Sequence, residues 1–374
     1  MLIPVFTVFA SNLEGYTPTL AGIALGSYGL SQGILQMPFG MLSDRYGRKV
    51  MITAGLLLFA AGSLLGAMTD SMYGMIAARI LQGTGAIGSV LIALLADLTS
   101  EAQRTKAMAV IGLTIGMSFS LAMVVSPAIA NMFGLSGIFY FTMGLALCGV
   151  VLLHTIIPTP KHEWTANEAQ SSLLKVVLSN KVLQRLNAGI FFQHAILTST
   201  FFVIPLLLQQ ELKQGHLGQQ WYFYLPLMLV SFLLMIPCIF YAERKRKVRA
   251  VFVLSVFVTS CSQLLLAFYH PDWLMFCCLM LVYFVAFNIL EASLPSLISK
   301  RAPAHTKGTA MGAYSSCQFL GIFAGGLMAG LLYQYAGVSS IFIFNALIAL
   351  LWGLLAATMK HNQYLRNTDE VAVN

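Results

Sequence analysis

The stretch Gly40-Met41-Leu42-Ser43-Asp44-Arg45-Tyr46-Gly47-Arg48-Lys49 decides how the rest of the chain is read. It places four charges and two glycines between two apolar runs, Leu20 to Leu42 and Val50 to Met68. Each run is long enough to cross a bilayer, which takes about 20 residues of helix. Asp44 stands four residues before Arg48, so a helical turn brings carboxylate and guanidinium together.

The same alternation continues outward. Spans are predicted near 20–42, 50–69, 72–96, 106–131, 135–157, 186–209, 221–242, 250–269, 273–299, 308–333 and 338–359. Charged residues are 9% of the 374 and apolar residues 58%, whereas a soluble domain carries about 25% charge. The class is therefore all-α integral membrane. The net charge of +8 is a topology signal and not a nucleic-acid footprint. Of 21 Lys and Arg, 19 fall in loops 43–49, 97–106, 158–185, 243–249 and 300–307 or in the tail. That bias predicts that these loops are cytoplasmic. The six cysteines (148, 238, 261, 277, 278 and 317) all lie within spans, with no CxxC and no His/Cys cluster. Neither a disulfide framework nor a metal site is expected. No Gly-x-Ser-x-Gly, metal-spaced His or phosphate loop occurs, so no enzyme, catalytic residue or cofactor is expected.

Met1 to Ala10 is apolar but covers only about 15 Å as a helix, half of a bilayer core. It reads as the outer end of a first helix whose beginning is missing, through either a misassigned start or a truncation. With that helix restored the count is twelve, and both termini are cytoplasmic. The expected organisation is a six-helix bundle over 1–157 (helix 1 partial), a linker over 158–184, a second bundle over 185–360 and a tail over 361–374. Within the linker, Leu173, Leu174, Val176, Val177 and Leu178 with Lys175 and Lys181 fit an amphipathic surface helix or a solvated connection. The halves repeat. Leu95-Ala96-Asp97-Leu98-Thr99 through Arg104-Thr105-Lys106-Ala107-Met108-Ala109 aligns with Ser296-Leu297-Ile298-Ser299-Lys300 through His305-Thr306-Lys307-Gly308-Thr309-Ala310, at an offset of 201 residues. Glu243-Arg244-Lys245-Arg246-Lys247 echoes the opening stretch without its glycines. Stripes of Gly22, Gly26, Gly29 and Gly33, of Gly112 and Gly116, and of Gly321, Gly325, Gly326 and Gly330 suit close helix approach in lipid.

These residues carry a family resemblance. The opening stretch resembles the loop motif of the major facilitator superfamily (Gly-x-Leu-Ala-Asp-Arg-x-Gly-Arg-Lys), which lies between its second and third helices. Arg79-Ile80-Leu81-Gln82-Gly83-Thr84-Gly85-Ala86 matches the superfamily's fourth-helix motif (Arg-x-x-Gln-Gly-x-Gly-Ala). Asp97-Leu98-Thr99 and Leu294-Pro295-Ser296-Leu297-Ile298-Ser299-Lys300 look most like the YajR-like efflux branch, without the C-terminal soluble domain that some of its members carry. The resemblance runs from about Met1 to Lys360. One motif departs: at Val125-Ser126-Pro127-Ala128-Ile129-Ala130 the proline of the drug:proton antiporters is present, but their glycines are absent.

The resemblance implies two six-helix bundles working by alternating access. It makes Gly40, Asp44, Arg45, Gly47, Arg48 and Lys49, with Asp97 and Arg104, a charge latch that stabilises the outward-open state, Asp44 facing the start of the eleventh helix near Thr306 to Gly308. A topology anchor is the alternative. It gives Arg79 a part in proton coupling, against a guanidinium snorkelling to the interface. The residues themselves single out Glu291, the only carboxylate well inside a span, with Asn288 one turn away. An ionisable group there is a functional-site candidate by default; Glu291 is either a proton carrier or a hydrogen-bonded brace between helices. His194 is the other titratable group of note, and a satisfied core residue is its favoured reading. Candidate cavity residues are Gln32, Gln36, Gln82, Gln193, Asn288 and Gln318. The expected function is proton-coupled efflux of small amphipathic molecules from a monomer in the cytoplasmic (inner) membrane. Import or facilitated passage of a small metabolite, or a non-transporting or decayed protein, are the alternatives.

Overall fold

The computed structural model describes residues 1–159, 170–268, 272–303 and 306–359. The tail 361–374, part of the linker and the side chain of Arg104 lie outside the described residues. In chain order the helices are α1 (Phe6–Ala10), α2 (Pro18–Tyr46), α3 (Arg48–Met68), α4 (Met72–Thr84), α5 (Gly88–Leu98), α6 (Glu101–Thr155), α7 (Gln170–Ser179), α8 (Lys181–Gln214), α9 (Trp221–Arg244), α10 (Val248–Ala267), α11 (Trp273–Arg301) and α12 (Lys307–Ala357). Among the described residues, eight helical stretches, with α4 and α5 counted as one, are long and apolar enough to cross a membrane. Helices suit that solvent because each satisfies its own backbone.

Two of the long helices fold back on themselves. At Gly134 (φ 67°, ψ −167°) and Gly337 (φ 76°, ψ −172°) the backbone leaves helical geometry for a region open essentially to glycine alone. The Ser340 hydroxyl then reaches the Leu332 carbonyl at 3.2 Å, eight residues back. A straight helix would place those residues about 12 Å apart. α6 and α12 thus each supply two of the predicted passes. The predicted span 72–96 is not one helix. It breaks over Gly85 to Ile87, where a side chain on Gly85 would run into the backbone of Gly55.

The first half keeps together through α2, α3, α4 and α6, the second through α8 to α12. The repeat seen in the sequence has a structural counterpart. Lys49 Nζ donates to the Ile157 carbonyl at 2.6 Å, and Arg249 Nη2 to the Ala357 carbonyl at 2.7 Å; each pair spans 108 residues. In both halves a cation from one helix start meets a carbonyl where the last pass of that half ends.

The apolar core is asymmetric across the molecule. On the side away from the basic loops, one buried cluster joins the halves, with Val5, Phe6, Leu25, Met75 and Phe139 beside Phe201, Phe202, Tyr224 and Phe284. On the basic side the core is divided. Phe39, Ile52, Val90 and Leu94 belong to the first half. Leu186, Phe252, Leu294 and Trp352 belong to the second, and only partly buried Met37 of α2 packs against its edge. The glycine stripes supply the join: Gly22 and Gly26 of α2 lie against Gly326 and Gly330 of α12, and Gly33 lies against Leu320.

Candidate functional site

Three groups of polar residues stand out, and the first is the opening stretch. Gly47 (φ 95°) is the single residue between α2 and α3. That turn sets Arg48 beside the end of α5. Arg48 Nη1 lies 2.5 Å from Asp44, and its Nε donates to Asp97 at 2.9 Å. Nη1 also donates to the Ser43 hydroxyl at 2.6 Å. The guanidinium is mostly buried while both carboxylates remain partly exposed. One cation is therefore shared by two anions from two helix ends. Gly40 packs against Ser89, and Arg45 lies over the Tyr46 ring at 5.4 Å. The part of Ser43 in holding Arg48 was not anticipated from the sequence.

The second group surrounds Arg79, which is buried and does not snorkel out. Its Nη1 donates to Gln82 at 2.7 Å, Gln82 donates to Ser63 at 2.7 Å, and Thr142 of α6 reaches Ser63 at 3.4 Å. The guanidinium carbon stands 4.6 Å from the Tyr28 ring centroid, a cation–π distance. The Tyr28 hydroxyl accepts from Gln32 at 3.0 Å, and its ring meets Phe319 of α12 edge-on at 6.1 Å. Tyr28 thus links the buried cation of the first half to a helix of the second. A tyrosine in an apolar span carries no signal of this, and sequence reasoning missed it.

The third group lies in the second half. His194 of α8 accepts or donates at Nε2 with Gln318 of α12, 2.8 Å away, and stands 3.9 Å from Glu291 of α11. Three helices thus converge on one titratable pair. The Glu291 side chain is 37% exposed against 7% for His194. The carboxylate is therefore the accessible member, although its Oε2 is buried without a partner.

Two of the other cavity candidates bond to the protein, and a third, Gln36, is buried with its Oε1 unpartnered. Gln193 donates to the Phe287 carbonyl at 3.1 Å, and Asn288 to Ser231 at 3.0 Å. Gln36 is buried against Gly88 at the start of α5. A further buried network went unpredicted: Asn345 bonds Ser199, Thr200 and Gln263 at 2.6–3.2 Å, tying α12 to α8 and α10. The amides of Gln263 and Asn345 within apolar passes were the available signal.

A buried cation, a half-exposed carboxylate and a division of the core on one face suit a protein that moves a solute between its halves. The sequence profile of the Major Facilitator Superfamily matches residues 1–326 and again 249–370. The chain belongs to the major facilitator superfamily. It is 41% identical to the inner membrane transport protein YajR of Escherichia coli (strain K12), over 98% of this chain and 80% of that protein. Among solved structures, a D-xylose-proton symporter superposes with a TM-score of 0.76 at 16% identity, over 98% of this chain and 94% of that one. The human organic anion transporter MFSD10 gives 0.66 at 22% identity, over 90% and 84%. These likenesses to structures concern the fold. As a superfamily member the chain is an integral, multi-pass membrane transporter, and the proteins it matches are transporters, not enzymes.

Proposed function

We propose that this transporter works by alternating access between two six-helix bundles, driven by protons, and exports small amphipathic molecules across the cytoplasmic membrane as a monomer. The observation that carries the reading is the asymmetric core: one apolar cluster joins the halves on the sparsely charged face, and two separate clusters stand on the basic face. With the basic loops cytoplasmic, this is a state closed to the outside. The Asp44–Arg48–Asp97 cluster is then the latch that tightens when the cytoplasmic side closes. In that state Asp44 approaches the start of α12, whose dipole favours an acid.

Glu291 serves as the proton carrier, with His194 standing 3.9 Å away and bonded in turn to Gln318. Arg79 tunes the cavity from the opposite half through Tyr28. Among the described residues the one guanidinium buried within a span, Arg79, is already engaged with Gln82 and Tyr28, which disfavours organic phosphates, since these call for clustered cations. Reconstituted protein tests the reading. Flux of a fluorescent amphipathic cation should follow an imposed pH gradient and run outward; flux indifferent to the gradient would overturn proton coupling.

A further inference from the structure

A cleft of about 150 Å³ lies between the start of α8, α10 and the end of α12. Its floor is Phe252, Trp352 and Met359, all buried, and Ala188 forms one wall. Arg185 and Leu355 stand at its mouth, both exposed. The cleft belongs to the basic face and shares no lining residue with the Glu291 group.

Leu355 indicates what the mouth opens onto. It ends a stripe of exposed leucines, Leu347, Leu350, Leu351, Leu354 and Leu355. That spacing is one face of a helix, and a wholly apolar exposed face on a membrane pass is the face turned to lipid. The cleft therefore opens sideways into the bilayer, near its basic edge. Arg185 is paired with no carboxylate among the described residues, and Lys181 is exposed one turn before it. Beside them, Gln184 Nε2 donates to the Leu178 carbonyl and ties the short helix α7 to the start of α8. Exposed Val176 and Leu178 of α7 extend the apolar rim.

We propose that this cleft is a binding site for one anionic phospholipid of the adjacent leaflet, an acyl chain lying over Phe252 and Trp352 and the phosphate at Arg185. An apolar floor suits the chain and a guanidinium suits the phosphate. Basic pockets between helices on the cytoplasmic side are the usual form of such sites. The site is independent of the proton-coupling reading.

Trp352 provides the readout. It is 2% exposed, so bulk lipid does not reach it, and a quencher must enter the cleft. The full chain carries four tryptophans; replacing Trp164, Trp221 and Trp273 by Phe leaves Trp352 alone. The protein is reconstituted in phosphatidylcholine vesicles containing increasing fractions of brominated phosphatidylglycerol or brominated phosphatidylcholine. The anionic lipid should quench at about fivefold lower mole fraction, the factor expected of roughly one cation beside an anionic headgroup. Arg185→Gln should remove that preference and keep the quenching. Ala188→Phe should abolish the quenching by filling the cleft, with Ala188→Val intermediate. Equal quenching by both lipids overturns the proposal, as does a preference that survives Arg185→Gln. Should Ala188→Phe fail to fold, the Arg185 variant decides alone.

Discussion

Thr19 and Gln334 are 315 residues apart in sequence and joined by two hydrogen bonds, 2.6 Å from the Thr19 hydroxyl and 3.2 Å from its backbone nitrogen. They sit at the end of the α2–α12 contact away from the basic loops and fasten the two halves there. Gln334→Leu should loosen that end by about 1 kcal/mol, or about fivefold in the population opened on that side. A cysteine placed at Ala21, buried in the joined cluster, should then react correspondingly faster with an impermeant thiol reagent added outside.

Asp44→Asn leaves Arg48 with Asp97 as its remaining carboxylate. A partly exposed ion pair contributes about 1 kcal/mol or less to stability, so insertion and expression should be unchanged. Transport should fall several-fold, because the latch that trades partners is broken. Initial flux at matched surface expression checks this, and normal flux would reduce Asp44 to a topology marker.

Glu291→Gln keeps the shape of the side chain but carries no proton. Flux in proteoliposomes should persist down a substrate gradient and lose its response to an imposed pH gradient. A wild-type response would make Glu291 structural and move the search to His194. Gln318→Leu should weaken the response less, since Gln318 bonds His194 rather than Glu291 itself.

Asn345→Leu removes the centre of a buried network, leaving Gln263 bonded to Thr200 and Ser199 to the Ile196 carbonyl. Polar contacts between membrane helices are worth about 0.6 kcal/mol each and at most about 2. The loss should total about 1–2 kcal/mol, read as a lower melting temperature in detergent. Direction and coupling of transport should be unaffected.

The passes were legible in the sequence because their signal is local. Runs of apolar residues broken by Gly40 to Lys49, or by the basic loops, need no knowledge of the partner helix. Asp44 with Arg48 was legible for the same reason, being four residues apart. Asp97 was placed beside Arg48 only through the family resemblance. The break at Gly85 was not legible, since it depends on the backbone of Gly55 pressing from α3. Tyr28 against Phe319 and Thr19 against Gln334 depend on how one half sits on the other, which no spacing along the chain encodes. Among the amides, Gln32, Gln82 and Gln193 are cavity candidates from the sequence, and each also bonds a neighbour in the protein.

The single apolar cluster joining the halves has a thermal consequence. Opening that face wets side chains such as Phe6, Phe201 and Tyr224, and wetting apolar surface raises the heat capacity. The balance between the two open states should therefore curve with temperature, with the closed outer face most favoured at an intermediate value. Cooling from that optimum weakens the seal as surely as warming does. Transport in a cold cell would then be limited by which side of the protein is shut.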